Sequence, residues 1–121
     1  MAKTILTVDD SRTMREMLRI ALSDAGYEVV QAEDGVHGLE VLETVKPDAI
    51  VTDINMPRMD GFGFIENVRV HEAHRAVPIL VLTTESDDQK KDRARRAGAT
   101  GWIVKPFNPT KLVDAIRRVT A

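Results

Sequence analysis

The stretch Ala49-Ile50-Val51-Thr52-Asp53 decides the fold. Its apolar residues run on without alternation and stop on an acid. A strand with one wet face alternates apolar and polar side chains; a strand covered on both faces does not. Ile79-Leu80-Val81-Leu82, opened by Pro78 and followed by Thr83, has the same character. Outward from these two, short β-rich runs alternate with helical spacing. Thr4–Val8 reads as the first strand, Glu28–Ala32 as the second and Trp102–Val104 as the fifth. Ser11–Ala25 places Met14, Leu18, Ala21, Leu22 and Ala25 on one helical face, with Gly26 as its stop. Val36–Val45, Phe62–Arg69 and Asp87–Ala97 read as the next three helices, the last stopped by Gly98. Asn108 followed by Pro109 is a matched start for a fifth, which carries Leu112, Ile116 and Val119. Five strands alternating with five helices predict an α/β fold: a doubly wound parallel sheet covered on both faces.

Composition narrows the function. The 121 residues fit a single domain spanning 1–121. No cysteine is present, which excludes disulfides, thiolate zinc sites, iron–sulfur clusters and a cysteine nucleophile. Seventeen basic against nineteen acidic residues give a net charge of -2, so nothing draws the whole surface to nucleic acid or anionic lipid. No apolar run approaches the ~20 residues that span a bilayer. The five mostly apolar residues before Asp9 and Asp10 are too few for a signal-peptide core. A cytoplasmic monomer is expected, without membrane insertion and without a nucleic-acid partner.

In such sheets ligands bind outside the carboxyl ends of the strands. Asp9 and Asp10 follow the first strand, Asp53 the third, with Asn55 two residues on; Thr83 ends the fourth and Lys105 the fifth. Taken singly, each has an ordinary explanation as a cap, a loop start or a solvated lysine. Taken together they fill one rim. Three converging carboxylates repel one another unless a cation intervenes, and hard oxygen ligands suit Mg²⁺ better than Ca²⁺ where no acid-rich loop surrounds them. A carboxylate held there is a nucleophile for phosphorus. Lys105 offers positive charge to phosphoryl oxygens and Thr83 a hydroxyl donor.

The motifs Val8-Asp9-Asp10-Ser11, Thr52-Asp53-Ile54-Asn55-Met56-Pro57-Arg58-Met59-Asp60-Gly61, Thr83-Thr84-Glu85 and Lys105-Pro106-Phe107 resemble those of the receiver domains of two-component response regulators, and among them the stand-alone chemotaxis regulators. The resemblance runs from about Lys3 to Val119. It implies a flavodoxin-like strand order 2-1-3-4-5. It implies Asp53 as phosphoacceptor, forming a 4-aspartylphosphate. Asp10, Asp53 and the Asn55 carbonyl are implied as direct Mg²⁺ ligands, with Asp9 acting largely through water. Lys105 is implied to bind the phosphoryl group, through a cis bond to Pro106, and Thr83 to be the switch residue. Asn55 and Glu85 occupy the two positions that tune hydrolysis. Trp102 stands where the family commonly has a switching tyrosine or phenylalanine. The phosphodonor would be a sensor histidine kinase. The target, a flagellar motor switch in a chemotaxis system, would meet the face formed by the fourth helix, fifth strand and fifth helix.

Three alternatives share parts of this reading. A phosphorelay intermediate or phosphate sink would use the same chemistry. A Mg²⁺-dependent aspartyl phosphatase needs a substrate cap for which the chain is too short. A flavin or nucleotide binder needs a Gly-, Ser- or Thr-rich loop where Asp9 and Asp10 stand. Elsewhere, Lys90, Lys91, Arg93, Arg95 and Arg96 make the fourth helix basic, extended by Arg117 and Arg118, which favours an acidic partner. Met17 and Ile20 lie off the first helix's core stripe, a small candidate partner patch. His71 and His74 read as solvated residues near a helix end rather than a metal pair.

Overall fold

In a computed structural model describing residues 2–121, five strands alternate with five helices. They are β1 (Thr4–Val8), α1 (Arg12–Asp24), β2 (Glu28–Ala32), α2 (Gly35–Leu42), β3 (Ala49–Thr52), α3 (Gly61–Val70), β4 (Ile79–Thr83), α4 (Asp88–Ala97), β5 (Gly101–Val104) and α5 (Pro109–Thr120). The sheet is parallel in the order β2-β1-β3-β4-β5. Every residue of β3 and β4 is buried, as their unbroken apolar runs require.

Each strand splits its side chains between two layers. Leu6, Val8, Ile50, Ile79 and Val81 meet Phe62, Phe64, Ile65, Val68 and Ala94 on the side of α2, α3 and α4. Ile5, Val51, Leu80 and Leu82 meet Leu18, Leu22, Leu112 and Ile116 on the side of α1 and α5. Side-chain oxygens start all five helices: Ser11, Asp34, Asp60, Asp87 and Asn108 each accept a backbone N–H of the first turn.

Two sequence expectations need correction. The second helix was expected over Val36–Val45; it begins one residue earlier, behind the Asp34 cap, and ends at Leu42. Pro47 disfavours helical backbone at Lys46, and the chain leaves through a tightened bond from Thr44 and a last α-type bond from Val45, both to the Val41 carbonyl. His74 is buried rather than solvated. It sits in a one-turn 3-10 helix, and its Nε2 bonds the Leu42 carbonyl at 3.2 Å, covering the open end of α2. His71 is exposed as expected, and so are Met17 and Ile20.

Candidate active site

Register assembles the rim. Val8 pairs with Thr52 across β1 and β3, and Thr83 pairs with Val104 across β4 and β5. The residues that follow therefore emerge level with one another. Asp9 N–H donates to the Ala32 carbonyl, Asp53 N–H to the Val8 carbonyl and Lys105 N–H to the Thr83 carbonyl, so each backbone is fixed at the point where its side chain leaves.

Lys105 Nζ lies 2.9 Å from Asp9 Oδ2 and 3.0 Å from Asp53 Oδ2. All three side chains are about nine-tenths buried or more. Asp9 Oδ1 also accepts the Ser11 N–H at 2.9 Å, and Asp53 Oδ1 accepts the Ile54 N–H at 2.7 Å. Burial pushes the Asp9 carboxyl above the ordinary carboxylate range, although the Ser11 and Lys105 bonds pull the other way. At Lys105 burial works against the charge, but the two carboxylates outweigh it and raise its pKa. Asp10 stands exposed at the mouth.

Asp9, Asp10 and Asp53 each present a carboxylate oxygen, all within 4.8 Å of one another. One ammonium against three carboxylates leaves two negative charges uncompensated. The donors are all hard oxygens, and one of the three carboxylates is open to water. That set fits Mg²⁺, which keeps several waters and takes few protein carboxylates.

A second layer links the rim to its surroundings. Thr83 is buried, and its Oγ1 accepts the Glu85 N–H at 3.4 Å. The Glu85 carboxylate bridges Asn55 Nδ2 at 3.1 Å and Lys90 Nζ at 3.0 Å, and these two partners hold it below the ordinary range. The Glu85 carbonyl accepts the indole N–H of Trp102 at 3.1 Å. Trp102 is half-buried against the α2–α3–α4 layer, so its polar tip has a partner and its body packs. The Lys105–Pro106 bond is cis, as the resemblance implied.

The structure brings Asp9, Asp10, Asp53 and Lys105 together at the rim and joins Asn55 and Thr83 to each other through Glu85. It adds three that sequence reasoning missed. Arg15 Nη1 donates to the Asp9 carbonyl at 2.6 Å. Asp34 is buried and takes a forked ion pair from Arg58. The sequence did hold a signal for Asp34, since an acid directly before Gly35 and a helical run is a helix-start pattern. Nothing local marks Arg58.

With this geometry in view, the chain matches the family described as Response regulator receiver domain over residues 5–117. It is 38% identical over 117 residues to chemotaxis protein CheY1 of Helicobacter pylori, covering 95% of this chain and 94% of that protein. Among solved structures it is similar to Vibrio cholerae CheY4, with a TM-score of 0.94 and 44% identity over 98% of this chain and 99% of that one. It is also similar to the receiver domain of the Pseudomonas aeruginosa sensor histidine kinase PA1611, solved with a magnesium ion coordinated in its active-site cleft. There the TM-score is 0.92 and identity 28%, over 99% of this chain and 98% of that one.

Proposed function

Because this chain belongs to the response regulator receiver domain family, a family of signalling regulators, we propose that it is a phosphoacceptor switch whose Asp53 is charged from the phosphohistidine of a sensor kinase. One observation carries the reading: Lys105 Nζ bridges Asp9 and Asp53 inside a cluster of three carboxylates at the carboxyl ends of the strands.

Asp53 Oδ attacks the phosphorus, the phosphorus–nitrogen bond breaks with its electron pair going to the ring nitrogen, and the imidazole, which carries a proton on its other nitrogen, leaves as a neutral ring. An acyl phosphate remains on Asp53. Asp9, Asp10, Asp53 and the Asn55 backbone carbonyl would hold Mg²⁺, which when bound offsets the charge of carboxylates and phosphoryl oxygens; the ion named in the PA1611 relative supports this. Lys105, already aimed at Asp53, exchanges that contact for a phosphoryl oxygen. Thr83 contributes its hydroxyl to another, which withdraws it from the Glu85 N–H. Hydrolysis runs in reverse order: water attacks phosphorus, the bond to Asp53 Oδ breaks, and inorganic phosphate leaves. Asn55 and Glu85, bonded to each other, stand over the approach of that water.

Relief of the Glu85 contact reaches α4 through Lys90 and β5 through Trp102. The α4–β5–α5 face is accordingly the output face, and its basic α4 favours an acidic protein target. The chemotaxis names of the relatives support a motor-switch target in the cytoplasm over a relay intermediate or phosphate sink. Among the described residues no helix is long and apolar enough to cross a membrane. Incubation with Mg²⁺ and a small-molecule phosphodonor should add one base-labile phosphoryl group, read by intact mass, and Asp53→Asn should abolish it. Equal labelling of that variant would overturn the assignment.

A further inference from the structure

We propose that Arg58 and Asp34 form a positioning clamp that holds the tip of the β3–α3 loop and thereby sets the affinity of the acidic site for its cation; this rests on the Mg²⁺ reading above. The loop that carries Asn55 is fastened at its base by the Gly61 N–H, which donates to the Ile54 carbonyl at 2.7 Å. A Cβ at Gly61 would lie 2.3 Å from the Asp53 carbonyl oxygen, so the base closes tightly. The tip is different. Arg58 has φ +64°, the single non-glycine positive φ among the described residues. L side chains avoid that region, so the conformation persists only where the surroundings hold it.

The holder is visible. Arg58 Nε donates to Asp34 Oδ2 at 2.7 Å and Nη2 to Asp34 Oδ1 at 3.0 Å, a two-pronged grip that an ammonium cannot reproduce. Asp34 is a firm anchor: it is buried, and its Oδ1 also accepts the His37 N–H at 2.9 Å as the cap of α2. The next loop residue lies directly on that helix, since a Cβ at Gly35 would come within 2.9 Å of the Met59 carbonyl oxygen. Asn55 thus sits on a loop held at its base and its tip, while its own side chain is tied to Glu85. Ligand loops with fixed surroundings bind metal more tightly than free ones.

The test measures Mg²⁺ binding to the unphosphorylated chain by calorimetry, beside thermal melts in chelator. Arg58→Gly removes the grip but also the backbone strain. Its affinity should fall roughly tenfold, the low end for residues that orient metal ligands, while its metal-free melting temperature falls only modestly, because the relieved backbone strain offsets part of the lost ion pair. Asp34→Asn keeps a capping side chain and should weaken binding in the same direction. Arg58→Lys should lie between parent and Arg58→Gly. A merely structural pair would lower the melting temperature and leave affinity unchanged. Equal affinity in the parent, Arg58→Gly and Asp34→Asn overturns the clamp while the Mg²⁺ reading stands. No binding to the parent at all overturns both.

Discussion

The acidic rim and helix α4 both concentrate charge, and they treat it in opposite ways. At the rim, Asp9, Asp53 and Lys105 are buried, meet within 3.0 Å and have further hydrogen bonds. Along α4, seven of ten residues are charged and only Ala94 is buried. The Asp92–Arg95 pair spans 3.5 Å with side chains 64% and 77% exposed, a geometry that adds little stability. Buried charge must be matched atom by atom, so it is tied to one arrangement. Solvated charge is matched by water, so α4 is free to present it to a partner. The neighbouring helix α3 shows the same contrast in apolar terms, since it buries Phe62, Phe64, Ile65 and Val68 where α4 buries one methyl group. Of the two helices, α4 costs far less to shift.

Breaking the rim's matching should give the largest effect. Lys105→Met leaves Asp9 and Asp53 facing each other without a cation, and removing one partner of a buried pair costs about 3–5 kcal/mol. Urea unfolding at neutral pH in chelator checks this. The deficit should shrink in acid, where Asp9 takes up a proton. A neutral-pH loss no larger than that of an α4 surface variant would erase the contrast.

Adding a cation should sharpen it. Mg²⁺ at a hundredfold excess over its dissociation constant should stabilise the parent by about 2.7 kcal/mol. Asp10→Ala should remove most of that gain, because Asp10 is the carboxylate of the cluster open to water. A thermal shift of unchanged size in the variant would place the ion elsewhere.

The rim's charge also predicts a smaller pH dependence. Asp9 keeps its proton to higher pH when folded than when unfolded, because burial raises its pKa. Unfolding therefore releases a proton in the window from about pH 4 up to the raised value, and stability falls as pH rises through it. Asp34 has the opposite sign. Arg58 holds it below the usual range, so its contribution is present above about pH 4 and is lost as pH falls below that. In chelator, urea midpoints measured across pH 3–6 should lose the upper decline in Asp9→Asn. A parent-like decline in that variant would remove Asp9 as its source.

The smallest stability effect belongs to α4. Lys91→Glu with Arg95→Glu should change the folding free energy by no more than about 0.5 kcal/mol per site and leave labelling of Asp53 intact. Association of the phosphorylated form with an acidic target should slow, and lose salt dependence, because charge at an exposed rim acts mainly on the encounter rate. Association at the parent's rate in low salt would make the α4 cations ordinary solvated charge.

The legible parts of this protein are those whose signals are local in the chain. Strand runs, caps such as Asn108-Pro109, stops at Gly26 and Gly98, and acids placed directly after strands can each be read from a few neighbours. Strand order came from family likeness, because no local signal says which parallel strand lies beside which. His74 shows the limit: a histidine near a helix end looks solvated until α2 is known to finish above it.

The sequence by itself determined the alternation of five strands and five helices, the doubly buried character of β3 and β4, and the residue types delivered to one rim. Those follow from periodicity and from side chains placed just past strand ends, which a linear chain encodes directly. Only the tertiary structure decided that Lys105 is shared between Asp9 and Asp53, that Glu85 ties Asn55, Lys90 and Trp102 to one residue, and that Asp34 grips Arg58. These contacts join residues 5 to 96 positions apart in sequence. Apart from the Glu85–Lys90 pair, their distances are set by sheet register and by the packing of two helical layers, so no short window of sequence contains them.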